Sequence, residues 1–425
     1  MEKIYYPQVG ETLYQEKLPC GLQIAVLPRE GFTKKLCYLV TDYGAIHTEF
    51  TIDGEKITAP GGVAHYLEHK LFDMPGRDIT GEFAALGAVP NAFTSYDMTA
   101  YYFSCTENFS QSLALLLEFV MTPYFTEESV AKEQGIISQE IGMNEDSPEN
   151  VLFETLVKTM YDRHPIRTPI LGTRESIAQI TPQVLSTCHK AFYRPDNMLL
   201  CVIGDVDAEL VRDMAQAAME KIPCPKVEAV RSWDEEMTVQ TPYVKVNMEV
   251  AMPMFQLGFL CEPLPNGAEG VHQEIVGDLA AEALFGESSP LYLKLYEQGL
   301  IDASFGGGFE TVEGMAMLTA TGDSEDPESV RDAILQEAKR LVQTGITEED
   351  FLRMKRSALG RRIRGLDSLE STCFRICAYH FSKFDYFEIP EVYRGVTKEH
   401  LQKFLQKVVT EDRMCMAVVA PKEVT

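Results

Sequence analysis

Phe125-Thr-Glu-Glu-Ser-Val-Ala-Lys-Glu-Gln-Gly-Ile-Ile-Ser-Gln-Glu-Ile141 can be laid on Ile346-Thr-Glu-Glu-Asp-Phe-Leu-Arg-Met-Lys-Arg-Ser-Ala-Leu-Gly-Arg-Arg362 without a gap. The offset is about 221 residues, close to half of the chain, and each copy follows a stretch that reads as strand then helix. A chain of 425 residues has room for about two to four domains, each with its own core. The repeat narrows this to a duplicated unit of about 200 residues. We therefore expect an α+β fold of two duplicated α/β domains, each a mostly antiparallel sheet packed with helices. The first is expected over residues 1–222 and the second over 241–425. Residues 223–240 read as a linker, because Pro223, Pro225 and clustered charge break the periodicity there.

Working outward, Leu22–Leu27 and Leu36–Val40 read as two strands around a charged turn with Gly31. Val63–Phe72 reads as a helix, Thr99–Cys105 as a strand and Ser110–Met121 as a helix. Thr126 and the acids after it suit a helix start, and that helix should run through Glu140 and end before Pro148. Val151–Tyr161 reads as a further helix and Leu199–Gly204 as an apolar strand. In the second half, strands are expected at Met254–Leu260 and Ala316–Thr321. Helices are expected at His272–Phe285, Val330–Val342 and Glu348–Arg364. Gly306-Gly-Gly308 reads as a mobile loop, and no phosphate-binding pattern accompanies it.

Lys and Arg total 38 against 64 Asp and Glu, a formal charge of −26. Such a surface repels phosphate backbones and anionic lipid, so neither nucleic acid nor a membrane is an expected partner. Cationic substrates are modestly favoured. No run of about 18 apolar residues is present, and Met1–Gly10 lacks an apolar secretory core, so a cytoplasmic protein is expected. The ten cysteines show no CxxC pair and no dense framework. Cys188, Cys201 and Cys415 lie among apolar neighbours and read as buried free thiols of a reducing compartment. Cys373 and Cys377, four apart, share a helix face and read as packing rather than a metal pair.

The sharpest feature is His65-Tyr-Leu-Glu68-His69. On a helix, positions i and i+4 lie one turn apart on one face. Two imidazoles so placed can point at a single zinc ion at about 2.0–2.1 Å. Glu68, at the edge of the same face, suits a general base acting on a zinc-bound water rather than a ligand. The pattern is HxxEH, the inverted form of a zinc-peptidase motif. The plainer reading is two solvent-facing histidines on an amphipathic helix.

Catalytic zinc usually has three protein ligands. Glu133 and Glu140 lie two turns apart on the Thr126 helix, beside apolar Ile136 and Ile137. A carboxylate repeated beside apolar residues is costly unless paired. One of the two suits a ligand and the other a group that orients a ligand histidine. The plainer reading is a solvated acidic face.

Taken together, Gly61-Gly-Val-Ala-His65-Tyr-Leu-Glu68-His69, Asn91-Ala-Phe-Thr-Ser-Tyr-Asp-Met-Thr99 and the Glu133/Glu140 pair resemble the insulinase/pitrilysin (M16, inverzincin) metallopeptidases, in their short bacterial processing-peptidase-like branch. The resemblance spans the whole chain, with specific motifs in the first half and loose ones in the second. It implies a clam-shell half, Zn2+ as cofactor, and a zinc-dependent endopeptidase acting on extended or unfolded peptides. It implies His65, His69 and Glu140 as metal ligands, Glu68 as general base and Glu133 as a supporting residue. It also implies that Asn91, Ala92, Phe93 and Thr94 border the substrate cleft. A peptide strand would add to Thr99–Cys105, with Asn91 on its backbone near the metal.

The second half departs from this pattern. Glu133 aligns with Met354 and Glu140 with Arg361, so the second domain should hold no metal. Relatives also use an Arg and a Tyr, seven apart, after a leucine-rich helix to hold the substrate carbonyl. The comparable stretch, Leu291–Asp302, contains no Arg, and Ile301 or Asp302 takes the Tyr position. The resemblance therefore implies a homologous partner chain, in a heterodimer or homodimer, that supplies the missing pair. Lys294 as a substitute for the Arg is the simpler alternative. A non-catalytic interaction subunit on the same fold is the rival reading.

Overall fold

The apolar runs at residues 22–27 and 36–40 do become strands, buried along nearly their whole length. In the computed structural model, which describes residues 1–422, they belong to a seven-stranded sheet. Its strands are β1 (Glu2–Tyr6), β2 (Glu11–Lys17), β3 (Gln23–Pro28), β4 (Lys35–Thr41), β5 (Ala88–Thr94), β6 (Thr99–Cys105) and β7 (Met198–Gly204). They lie in the order β1-β2-β3-β7-β4-β6-β5, all neighbours antiparallel except β3 and β7.

The second sheet has β8 (Tyr243–Met248), β9 (Met254–Cys261), β10 (Gly306–Val312), β11 (Met315–Asp323) and β12 (Met414–Pro421). Its order is β8-β12-β9-β11-β10, with β8 and β12 parallel and the rest antiparallel. Number the last five strands of each sheet along the chain. Both sheets then run first, fifth, second, fourth, third, so the duplication is present as topology where the sequence preserves little of it.

Two further segments are strands. Pro90 and Asn91 lie inside β5, and β5 is the edge of its sheet, where a proline removes no ladder hydrogen bond. Gly306–Gly308 open β10 rather than forming a mobile loop. A side chain at Gly307 would meet the Phe285 ring at 2.2 Å and the Thr319 carbonyl oxygen at 2.5 Å, so the glycine permits a close strand approach. Within residues 223–240, Val227–Ala229 pairs with Glu49–Ile52, which in turn pairs with Glu55–Thr58.

Five helices matter below: α1 (Val63–Leu71), α2 (Glu127–Asp146), α3 (Pro148–Met160), α4 (Ala268–Phe285) and α5 (Leu369–Phe381). The chain forms two units. One contains residues 1–141, 168–230 and 363–388; the other contains 142–167, 231–362 and 389–422. Helix α5 thus packs on β7 and β4 of the first sheet, while α3 packs on β12 and β9 of the second. Gly258 of β9 gives α3 its seat, since a side chain there would strike the Met160 sulfur. The two helices start about 221 residues apart, so they are the same element of the repeat.

In the first unit, α1 packs against β5 and β6, and Ile24, Val26, Leu39, Leu67, Leu116 and Leu200 belong to one buried cluster. In the second, α4 packs over β10 and β11, with Leu257, Leu284, Phe285 and Leu318 in its core. Among the described residues, no helix is long and apolar enough to cross a membrane.

Candidate metal centre

Helix α1 is divided lengthwise by its sequence. Val63, Ala64, Tyr66, Leu67 and Leu71 are buried, which at about 1.5–3 kcal/mol per large apolar side chain fixes the face that meets the core. His65, Glu68 and His69 are left on the half-buried opposite face. Gly62 precedes the helix at φ +90°, and a Cβ there would stand 2.5 Å from the Leu171 carbonyl oxygen. Only glycine meets both demands at the start of this helix.

Helix α2 is held beside α1. Thr126 and Ser129 satisfy each other's backbone N–H groups at the helix start, at 3.1 and 3.2 Å. Val130, Ile137 and Ile141 are buried, and Glu133 and Glu140 share that face with them. Tyr66 donates its hydroxyl hydrogen to the Val130 carbonyl. Lys70, fully buried, pairs with Asp73 and donates to the Ser129 carbonyl at 3.4 Å. Ile136, expected beside Ile137 on the inner face, is 42% exposed.

The result is a convergence of three donors. His65 Nε2 and His69 Nε2 each lie 3.7 Å from Glu140 Oε2, and the two rings are 4.6 Å apart between centroids. One ligand atom from each of the three falls within 4.8 Å of the others. Donors held about 2.0–2.1 Å from one tetrahedral ion stand roughly 3.3–3.5 Å apart, so the set needs only small closure to fit zinc. Nitrogen and oxygen donors of this kind suit that ion. Glu133 is in a different position: its Oε1 is 2.9 Å from His69 Nδ1, the ring nitrogen turned away from Glu140. That contact fixes which His69 nitrogen faces inward. His65 Nδ1 is buried with no hydrogen-bond partner among the described residues.

Electrostatics separates the two histidines. Burial, with the neighbouring His69, pushes His65 down to about 3, so its ring is neutral and offers a lone pair. Burial acts the same way on His69, but the bond to Glu133 and the charges of Glu140 and Glu68 outweigh it and leave it raised. A cation taken up here competes with the proton for His69. Burial holds Glu68 above the ordinary carboxylate range, opposed by His69 and by a hydrogen bond from Thr94. That bond runs from Thr94 Oγ1 to Glu68 Oε2 at 3.0 Å.

The segment Asn91–Thr94 divides between the two faces of β5. Ala92 packs against the core shared with α1, and Thr94 reaches Glu68. Phe93 points the other way, 6.3 Å from the Tyr102 ring and 5.8 Å from the Phe374 ring, and Asn91, two residues before it, lies on that same face, opposite Thr94. Asn91 accepts a hydrogen bond from the Ala92 N–H. The expected docking strand requires correction. Thr99–Cys105 is paired on both sides, by β4 and by β5, and has no free edge to offer. The free edge on this side of the sheet belongs to β5. Thr94 as a partner of Glu68 carried no sequence signal, because the two are 26 residues apart.

In the second unit, Met354 is buried on the helix Glu348–Arg364, and Arg361 makes an ion pair with Glu282. Lys294 is exposed on the helix Pro290–Glu297.

Comparison with known proteins gives a consistent picture. Residues 58–174 match the family described as insulinase (peptidase family M16), and residues 179–358 match the peptidase M16 inactive domain. The chain is 36% identical over 429 residues to the uncharacterized zinc protease YmfH of Bacillus subtilis, covering 99% of this chain and 100% of that protein. It is 24% identical over 372 residues to a second uncharacterized zinc protease of that organism, YmxG, covering 85% and 88%. The crystal structure of an M16-like peptidase from Alicyclobacillus acidocaldarius superposes with a TM-score of 0.92 at 30% identity, over 97% of this chain and 99% of that one.

Proposed function

The chain belongs to the insulinase (M16) peptidase family, and from that premise we propose that it is a zinc-dependent endopeptidase of extended or unfolded peptides. The observation that carries this is the convergence of His65, His69 and Glu140, with Glu68 beside them and outside the ligand set. The relatives' names as zinc proteases support the metal.

On this reading His65 Nε2, His69 Nε2 and Glu140 Oε2 hold the ion and Glu133 orients His69. A bound zinc ion supplies Lewis acidity and brings the ionisation of water toward about pH 7. Glu68 takes the proton of the attacking water and passes it to the leaving amine. Burial raises its proton affinity toward the working pH, which suits both halves of that task. Thr94 fixes which oxygen of Glu68 faces the substrate. The unpaired edge of β5, carrying Asn91 to Thr94, takes the peptide as an added strand. Strand addition requires a free backbone, so folded proteins are poor substrates.

A second feature favours a partner-dependent enzyme. No Arg lies in Leu291–Asp302, and the lysine there, Lys294, is a compact point charge rather than a planar fork. We propose that a homologous chain supplies the carbonyl-holding pair.

The test is metal content by elemental mass spectrometry, followed by peptide cleavage with and without a candidate M16 partner. Near-stoichiometric zinc that is retained in Glu68→Gln and lost in His65→Ala supports the centre. Zinc-free protein that stays zinc-free after reloading would overturn it and favour a non-catalytic interaction subunit. Ordinary turnover by the isolated chain would overturn the need for a partner.

A further inference from the structure

A second group of metal-ligating side chains lies in the first unit, on the face of the sheet covered by α5. Cys201 of β7 and Cys373 and Cys377 of α5 place their sulfurs within 4.8 Å of one another. All three residues are buried, at 0%, 0% and 1% exposure. The two α5 thiols are one helical turn apart and face the strand together. The Cys373 thiol also reaches the Cys201 carbonyl oxygen, at 3.7 Å. Cys37 does not join them. It lies across from Val202, while Cys201 lies across from Tyr38, so Cys37 points through the opposite face. The donor set is thus three sulfurs, with no nitrogen or oxygen ligand in the group.

Packing alone does not demand this arrangement. Apolar side chains of similar volume would fill the space, whereas here three polarisable sulfurs converge on a common point from elements 172 residues apart. A sulfur-only set selects soft ions. Closed structural zinc sites use four ligands, and a fourth is missing from this group. The dry surroundings disfavour any net charge.

We propose that Cys201, Cys373 and Cys377 form a buried three-sulfur site for one soft monovalent cation of the copper(I) type, which fastens α5 to β7. On binding, one of the three S–H bonds breaks and its electron pair forms the sulfur–metal bond. The proton leaves to solvent, and the other two thiols complete the coordination through sulfur lone pairs. One positive charge and one thiolate leave the pocket neutral. The site is separate from the histidine centre, and its test does not depend on peptidase activity.

The experiment offers copper(I), as its bicinchoninate complex, to the reduced full-length chain, and compares wild type with Cys201→Ser, Cys373→Ser/Cys377→Ser and Cys224→Ser. Cys224 is exposed and controls for surface thiols. The expected result is one equivalent of copper retained by wild type and Cys224→Ser and lost from the other two. X-ray absorption of the loaded wild type should show three sulfur neighbours and no lighter ligand. No retention by wild type, retention undiminished in Cys201→Ser, or nitrogen and oxygen neighbours would each overturn the proposal. So would displacement of the copper by an equivalent of zinc(II). Where a serine variant does not fold, the wild-type absorption spectrum decides alone.

Discussion

Thr94 Oγ1 donates a 3.0 Å hydrogen bond to Glu68 Oε2, joining the edge strand that offers a free backbone to the carboxylate assigned as base. A hydrogen bond to a charged group contributes about 1.5–3 kcal/mol, so Thr94→Val should lower kcat by roughly 10- to 100-fold while zinc content is unchanged. Thr94→Ser should keep most of the rate. Steady-state kinetics beside metal analysis checks this. An unaltered kcat in Thr94→Val would remove Thr94 from the mechanism.

Glu133 touches His69 on the nitrogen turned away from Glu140. Glu133→Gln should therefore leave the fold intact and weaken zinc binding by roughly 10- to 100-fold. Competition against a chromophoric zinc chelator measures it. Glu140→Gln should do more, since it removes one of the three converging donors. The order of the two affinities tests which glutamate is the ligand.

Gly62 combines a positive φ with a carbonyl oxygen 2.5 Å from where a side chain would begin. Gly62→Ala should destabilise the protein by about 2–4 kcal/mol, the sum of left-handed strain and a backbone clash. Because Gly62 opens the helix that carries both histidines, zinc affinity should fall as well. Urea unfolding and chelator competition report the two effects separately.

His189 predicts a pH dependence away from the metal. It is buried, its Nε2 is 3.0 Å from the Val120 carbonyl oxygen, and its ring stacks on Tyr193. Burial pushes it down to about 4. The unfolded chain protonates at about 6.5, so it takes up the proton before the folded chain does. The stability tied to this group is fully present above pH ~6.5 and is lost as the pH falls toward 4, by about 3 kcal/mol. His189→Gln keeps a donor for Val120 and should flatten that part of the stability curve. Denaturant melts between pH 7 and pH 4.5 would show an unchanged slope if another group were responsible.

Legibility followed sequence distance. The HxxEH helix and the Glu133/Glu140 pair rest on spacing within one helix, and the structure places all five residues together. The Thr126 helix ends before Pro148, where a proline opens the next helix. Pro90 was harder, since the same residue suits a turn or a sheet edge, and only the pairing of neighbouring strands separates them. Gly306–Gly308 was misleading for a related reason: glycines that allow a loop also allow a strand to pass close to Phe285 and Thr319. Cys373 and Cys377 could be paired from their spacing, but Cys201 could not, because the sheet and α5 bring it to them across 172 residues.

The placement of α3 and α5 has a consequence for biosynthesis. A nascent chain that has emerged as far as residue 230 has every strand of the first sheet but lacks α5, which covers β4 and β7. Tyr38, Leu199 and Cys201 then stay exposed on the ribosome until residues 363–388 are translated. At about 5–20 residues per second, that exposure lasts several seconds or more. The first repeat thus cannot finish folding in the order in which it is made. A gene split between the repeats would yield two fragments that each lack a helix encoded in the other, and neither should be soluble alone.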